Sequence, residues 1–335
     1  MQKSFDLKLQ RIHEDSTCRD FILADAKDGD MGFGVAAPGR ATGSDSPAGP
    51  FRSLEAYRQA MRDIVAQGLV DIMLMSVSTN EQLTIDERIF DNSPVTPAIR
   101  ANDSTDIWLG LSGTYTEQPS LPFRSTTIDH AQCGTWHCEP DARSQGADLG
   151  LYSITFNHDH ALDRQSLESY RAFRIEAESK NFRHFLEVFA PNAPLRPIAD
   201  TPRFVNDCIA RTLAGVPTAS RPRFLKIPYF GARAMDQLVH YDPNLVVGIL
   251  GGSSGTTHDA FRMLWEAKKY GARAALFGRK INHSEHQLTF VKFLRALADD
   301  ELEPDDAVRA YHNELDHLGI APHRPLDDDL TLTQL

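Results

Sequence analysis

The stretch FRHFLEVFAPNAPLRPIADTPRFVNDCIARTLAGVPTASRPRFLKIPYFG, residues 182–231, contains a complete structural unit. Two runs in it, FRHFLEVF (182–189) and RFLKIPY (223–229), are β-rich and continuously apolar rather than alternating. Such runs suit parallel strands covered on both faces. Between them, the region around Arg203 to Leu213 reads as a helix. Strand, helix, strand is the crossover unit of a parallel sheet. Each strand also carries one charge among apolar neighbours, Glu187 in FLEVF and Lys226 in FLKIP. Burying either charge alone is costly, so both positions ask for a reason.

The same pattern repeats outward from this unit. FILAD (21–25) is a first strand, followed by a Gly/Pro-rich loop to about Pro50 and a helix from Leu54 to Gln67. VDIMLMS (70–76) is a second, with a helix near Glu81 to Ile89, and VTPAIRAND (95–103) opens a third. An irregular excursion covers 104–146. LGLYSITFN (149–157) is the fourth strand, with a charged helix from Arg164 to Ser179. After the fifth and sixth strands and a helix from Ala232 to His240 come LVVGILG (245–251) and a helix from Thr257 to Tyr270. ARAALFG (272–278) is the eighth strand, with helices from Ser284 to Ala298 and from Pro304 to Leu318. Eight units predict an α/β fold, a (β/α)8 TIM barrel in a single domain over 1–320, with the extended loop after strand three and an extra C-terminal helix. Residues 321–335 read as a polar, loosely held tail. A doubly wound sheet is the alternative, weakened because no GxGxxG follows the first strand.

Hydrophobic content of 41% and charged content of 24% describe a globular chain with ample core. The net charge of −11 argues against nucleic acid or an anionic membrane as the main partner. No apolar run reaches the roughly 18 residues of a membrane span, and the N-terminal MQKSFDLKLQRIHEDSTCRD lacks a signal-peptide core, so a cytoplasmic location is expected. Cys18, Cys133, Cys138 and Cys208 read as reduced thiols. DHAQCGTWHC places His130 and His137 beside two of them, in a spacing that fits no common zinc module.

Barrel chemistry sits at the C-terminal ends of the strands. Strand one ends with Asp25, Lys27, Asp28 and Asp30; strand three with Arg100, Asn102 and Asp103. Strand seven runs into GGSSGTT, with Gly251, Gly252 and Ser253, and strand eight into Gly278 and Arg279. Glycines let backbone N–H groups approach an oxyanion, the helix starting near Thr256 would add its positive end, and Arg279 would add a fork of donors. Together they form a candidate phosphate cradle. Glu187 and Lys226, on neighbouring strands, are either an ion pair that fits the core or a Schiff-base lysine beside an acid/base carboxylate, with Asp25 reaching in from strand one. Arg100 and Asn102 are candidates for a substrate's far end, while Asp103 either joins them or caps a turn.

FLEVF, FLKIP, the GGS turn and GRKI, in this order, resemble the class I (Schiff-base) aldolase superfamily, nearest in pattern to the tagatose-bisphosphate aldolase branch. The opening LADAKDG resembles that branch's strand-one segment. The resemblance implies a (β/α)8 barrel that cleaves or forms a C–C bond in a small phosphorylated sugar. Lys226 matches the Schiff-base lysine, Glu187 the strand-five glutamate and Asp25 the catalytic aspartate. Gly251, Gly252, Ser253, Gly278 and Arg279 match the phosphate site. No metal and no cofactor is implied, because the iminium is the electron sink. The expected partner is a small-molecule sugar phosphate, with no nucleic acid and no membrane; homo-oligomer formation stays open. That branch carries a second active-site lysine on strand four, whereas this chain has no lysine between Lys27 and Lys180. Lys27 is either its substitute or an exposed loop lysine. The alternatives are a metal-dependent lyase or isomerase on the same barrel, and a non-catalytic sugar-phosphate-binding barrel.

Overall fold

The structure, a computed structural model, describes residues 1–41, 50–107, 113–252 and 255–333. Eight strands form a closed barrel: β1 (Ile22–Lys27), β2 (Ile72–Met75), β3 (Thr96–Arg100), β4 (Leu149–Thr155), β5 (Arg183–Phe189), β6 (Leu225–Ile227), β7 (Val247–Leu250) and β8 (Ala274–Phe277). Each pairs in parallel with the next, and β8 closes onto β1. The helices between them include Leu54–Gln67, His160–Ser179, Thr201–Ala214, Ala232–Tyr241 and Thr257–Lys269. The (β/α)8 barrel is therefore the observed fold. The helix expected near Glu81 to Ile89 begins earlier, as an α-turn over Val77–Asn80 that widens into a π-helical segment over Glu81–Asp86.

Strand alternation assigns every strand residue to one of two layers. One buried cluster collects Ile22, Ala24, Ile72, Leu74, Ala98, Leu149, Leu151, Phe185, Phe224, Ala274 and Leu276. These are alternate residues of successive strands, and they fill the barrel interior. The other parity, including Leu23, Met73, Met75, Ile99, Tyr152 and Phe277, packs with Tyr57, Met61 and Ile64 of the surrounding helices. By the same parity, Arg100, Ser153, Glu187 and Lys226 point inward.

The N-terminal helix Ser4–Glu14 was not evident in the sequence pattern, and it seals the N-terminal end of the barrel. Phe5 and Leu9 join the interior cluster. The Phe5 ring meets Phe224 edge-on at 5.9 Å, and Phe224 stacks on Phe185 at 4.4 Å. Lys8 pairs with Asp71 at 2.9 Å, fixing the helix to the start of β2.

Three other expectations change. The excursion after β3 carries a short antiparallel ribbon, Asp103–Ser104 with Pro122–Phe123, and a helix, Ile128–Cys133. Cys133 and Cys138, expected as reduced thiols, are joined as a disulfide, their Cα atoms 6.0 Å apart. Cys18 and Cys208 are free. The tail is docked rather than loose. Asp329, 2% exposed, accepts the Thr257 N–H at 2.7 Å and pairs with His312 at 2.9 Å, while the Thr256 hydroxyl donates to the Thr331 carbonyl. No helix among the described residues is long and apolar enough to cross a membrane.

Candidate active site

Three inward residues line up in register across β4, β5 and β6. Ser153 is opposite Glu187, and Glu187 is opposite Lys226. Lys226 Nζ lies 2.6 Å from Glu187 Oε1, and the Ser153 hydroxyl donates to Glu187 Oε2 at 2.6 Å. Glu187 is 1% exposed and Lys226 7%, so the pair is nearly dry but open at one end. That end faces a cavity of about 1250 Å³ at the C-terminal mouth of the barrel. The next strand faces Lys226 with Gly248, which puts no side chain beside the amine.

Arg100, at the end of β3, brings a second cation to this floor. Its Nη1 lies 3.0 Å from Asp28 and 4.0 Å from Glu187 Oε2, and its Nη2 donates to Ser153 Oγ at 3.3 Å. Burial works against its charge, but Asp28 and Glu187 outweigh it and hold the guanidinium above its ordinary pKa. Asn102, expected to bind substrate, is fully buried and serves the backbone instead. Its amide accepts the Ser153 N–H at 2.7 Å and donates to the Ser153 carbonyl at 2.9 Å, extending the ladder beside β4. Asp103 neither lines the cavity nor caps a turn of its own; its carboxylate accepts the Ser125 N–H at 2.8 Å and the Ser125 hydroxyl at 2.7 Å, tying the far end of the excursion to the short ribbon.

The strand-one expectation is overturned. Asp25 is in register with Met73 and Phe277, which belong to the outer layer under the helices. Lys27 shares that face, and its Nζ lies 2.8 Å from Asp25 Oδ2 with both side chains 0% exposed. Lys27 is thus neither an exposed loop lysine nor a group at the cavity. Burial raises the Asp25 carboxyl and lowers the Lys27 amine, with their mutual attraction opposing both shifts. The inward parity of β1 runs through Ala24 and Ala26 to Asp28, and Asp28 is the strand-one carboxylate that lines the cavity.

Of the proposed phosphate cradle, Gly251, Gly252, Gly278 and Arg279 all line the cavity, and Ser253 lies outside the described residues. Gly252 sits at φ +58, a left-handed conformation suited to glycine, and a Cβ at Gly278 would stand 2.3 Å from the Ala26 carbonyl oxygen. The Arg279 guanidinium rests on the Phe33 ring at 5.1 Å and has no carboxylate partner among the described residues. Burial lowers its pKa. The helix beginning at Thr257 does not offer its positive end as expected. Asp259 Oδ2 accepts the Thr256 N–H at 2.7 Å, and Asp329 takes that of Thr257, so two carboxylates already occupy this terminus.

Sequence reasoning missed Ser153, Arg52 and His283. Arg52 and His283 line the cavity near Arg279, and burial lowers the pKa of each, with Arg279 and Arg52 pushing His283 further down. Among the described residues, no group of three or more His, Cys, Asp or Glu side chains is arranged to hold a metal ion.

No family model matches the chain, and no curated protein matches it in sequence. Solved structures do. An archaeal fructose 1,6-bisphosphate aldolase superposes with a TM-score of 0.60 at 16% identity, covering 87% of this chain and 98% of its own. An archaeal fructose-1,6-bisphosphate aldolase with its catalytic lysine bound to the carbinolamine intermediate gives 0.60 at 14%, covering 87% and 99%. The fructose-bisphosphate aldolase from Slackia heliotrinireducens gives 0.65 at 14%, covering 94% and 92%. At these identities the likeness is one of fold, and over nearly its whole length this chain shares the barrel on which Schiff-base aldolases are built.

Proposed function

We propose that the protein is a class I aldolase acting on a small phosphorylated ketose or aldose. One observation carries the reading: a lysine and a glutamate 2.6 Å apart on the nearly dry floor of a cavity rimmed by Gly251, Gly252, Gly278 and Arg279. Buried ion pairs are weak devices for stability, so a pair opening onto a cavity points to chemistry. The aldolases with which the chain shares its fold, one of them named for a lysine-bound carbinolamine, support the same reading.

In this reaction the Lys226 ammonium passes a proton to Glu187, and the freed amine attacks the carbonyl carbon. Proton transfer within the adduct gives a neutral carbinolamine. Glu187 then returns its proton to the carbinolamine hydroxyl, the C–O bond breaks, water leaves and the positive charge stays on the iminium nitrogen. The bond between the α and β carbons then cleaves, its electron pair forming the enamine double bond while the C=N pair moves onto nitrogen, and the β-hydroxyl that becomes the aldehyde gives its proton to a carboxylate at the mouth. Asp28 is the group for that role, in place of Asp25. Borohydride reduction with dihydroxyacetone phosphate, followed by peptide mass spectrometry, is expected to label Lys226. Binding without an adduct for any ketose or aldehyde phosphate would leave a sugar-phosphate-binding barrel instead.

A further inference from the structure

We infer that Arg100 is a positioning residue for Glu187, acting through the Ser153 hydroxyl, and not a substrate-binding residue; the inference rests on the aldolase reading above. Three of the five N–H donors of Arg100, one on each nitrogen, are engaged within the protein. Nε donates to the Asn102 carbonyl at 2.9 Å, Nη1 to Asp28 at 3.0 Å and Nη2 to Ser153 Oγ at 3.3 Å. Two of the cavity's other guanidinium groups contrast with it. Among the described residues, Arg52 and Arg279 have no carboxylate partner, Arg52 donating only to Asn282. A ligand anion therefore finds its countercharge at Arg52 and Arg279, and Arg100 serves the floor.

Its effect runs through one hydroxyl. Ser153 Oγ accepts from Arg100 and donates to Glu187 Oε2, and a hydroxyl has a single hydrogen to give. With the guanidinium in its lone-pair region, that hydrogen is aimed at Glu187. Glu187 is a flexible side chain whose other oxygen must meet the Lys226 nitrogen at each proton transfer. Ser153 fixes Oε2, so Oε1 faces Lys226. The backbone behind this arrangement is itself fixed, since Asn102 brackets the Ser153 peptide on both sides. The rigid fork of arginine suits the task, because one planar group reaches Asp28, Ser153 and the rim of Glu187 together. An ammonium at the same place would satisfy one of them.

The test is single-turnover trapping of dihydroxyacetone phosphate with cyanoborohydride, followed by intact-protein mass, for wild type, R100M, R100K, S153A and R100M/S153A, with thermal melts of each. Misplacing a reacting group by about an ångström costs on the order of a hundredfold. R100M and S153A are expected to lower the limiting rate of adduct formation roughly ten- to a hundredfold, with the half-saturating ketose concentration changed less than about threefold. The double variant should be no slower than the worse single one, because both act on Glu187 by one route. R100K should regain the melting temperature by pairing with Asp28 while its rate stays low, a split that a purely structural role would not give. A rise in half-saturating concentration at an unchanged limiting rate would make Arg100 a substrate-binding residue and overturn the inference. So would rate losses in R100M and S153A that multiply. Wild-type labelling of Lys226 with normal rates in both variants overturns this inference alone, whereas an unlabelled wild type overturns the aldolase reading and the inference with it.

Discussion

Replacing Lys27 by Met removes the only partner of Asp25 among the described residues while leaving the aspartate between β1 and the helices, beside Met73 and Phe277. Removing one member of a buried pair costs about 3–5 kcal/mol, because the other charge remains without compensation. That loss should appear at pH 7. Its pH dependence follows from the direction of the Asp25 shift. Burial already raises this carboxyl in the folded chain, and Lys27 is the main influence holding it down. In the variant the folded carboxyl therefore binds its proton more tightly than the unfolded one does. The associated stability is full below the ordinary carboxylate range and is lost as pH rises through the raised folded value. The deficit of Lys27→Met should then shrink on acidification from pH 7 to pH 5, by at most about 1.4 kcal/mol per pH unit. Urea unfolding at both pH values measures it. Asp25→Asn combined with Lys27→Met removes both charges and should recover most of the loss at pH 7. The double variant should also still be labelled at Lys226, because neither residue reaches the cavity. A deficit that is equal at both pH values, or a double variant as fragile as Lys27→Met alone, would refute the assignment of this pair to the outer layer.

Arg279→Ala should raise the half-saturating concentration of dihydroxyacetone phosphate about tenfold or more, equivalent to about 1.4 kcal/mol per decade, and leave unphosphorylated dihydroxyacetone unaffected; steady-state or trapping kinetics with the two ketones decide it. Asp329→Ala takes the acceptor from the Thr257 N–H and the partner from His312. A loss of about 2–3 kcal/mol is expected, with faster amide exchange confined to the start of the Thr257 helix and to residues 326–333, read by hydrogen-exchange mass spectrometry.

The barrel was legible because its strands are short, apolar and regularly interrupted by amphipathic helices, with the helix over Leu54–Gln67 matching its expected bounds. Glu187 and Lys226 were legible because a charge in the middle of such a strand stands out. Which way a strand residue points was not. Strands buried on both faces show no alternation, so ILADAK does not reveal that Ala24 and Ala26 face inward and Asp25 outward. Parity appears only once β1 is in register with β2 and β8. The same holds for Ser153, an unremarkable serine until two neighbouring strands set Glu187 and Arg100 around it. The tail misled because its carboxylates suggested solvent, when Asp329 serves as a cap for a helix some seventy residues earlier in the chain. The sealing helix Ser4–Glu14 buries only Phe5 and Leu9, too little apolar periodicity to announce itself.

That helix has a consequence for how the molecule is made. Phe5 leaves the ribosome ~220 residues before Phe224, the ring it closes upon. At ordinary translation speeds the interval is on the order of ten seconds or more, during which the plug has nowhere to sit. The bottom of the barrel is then sealed only after Phe224 has emerged, and the strand bearing Lys226 gains its full support only when the two distant ends of this contact meet.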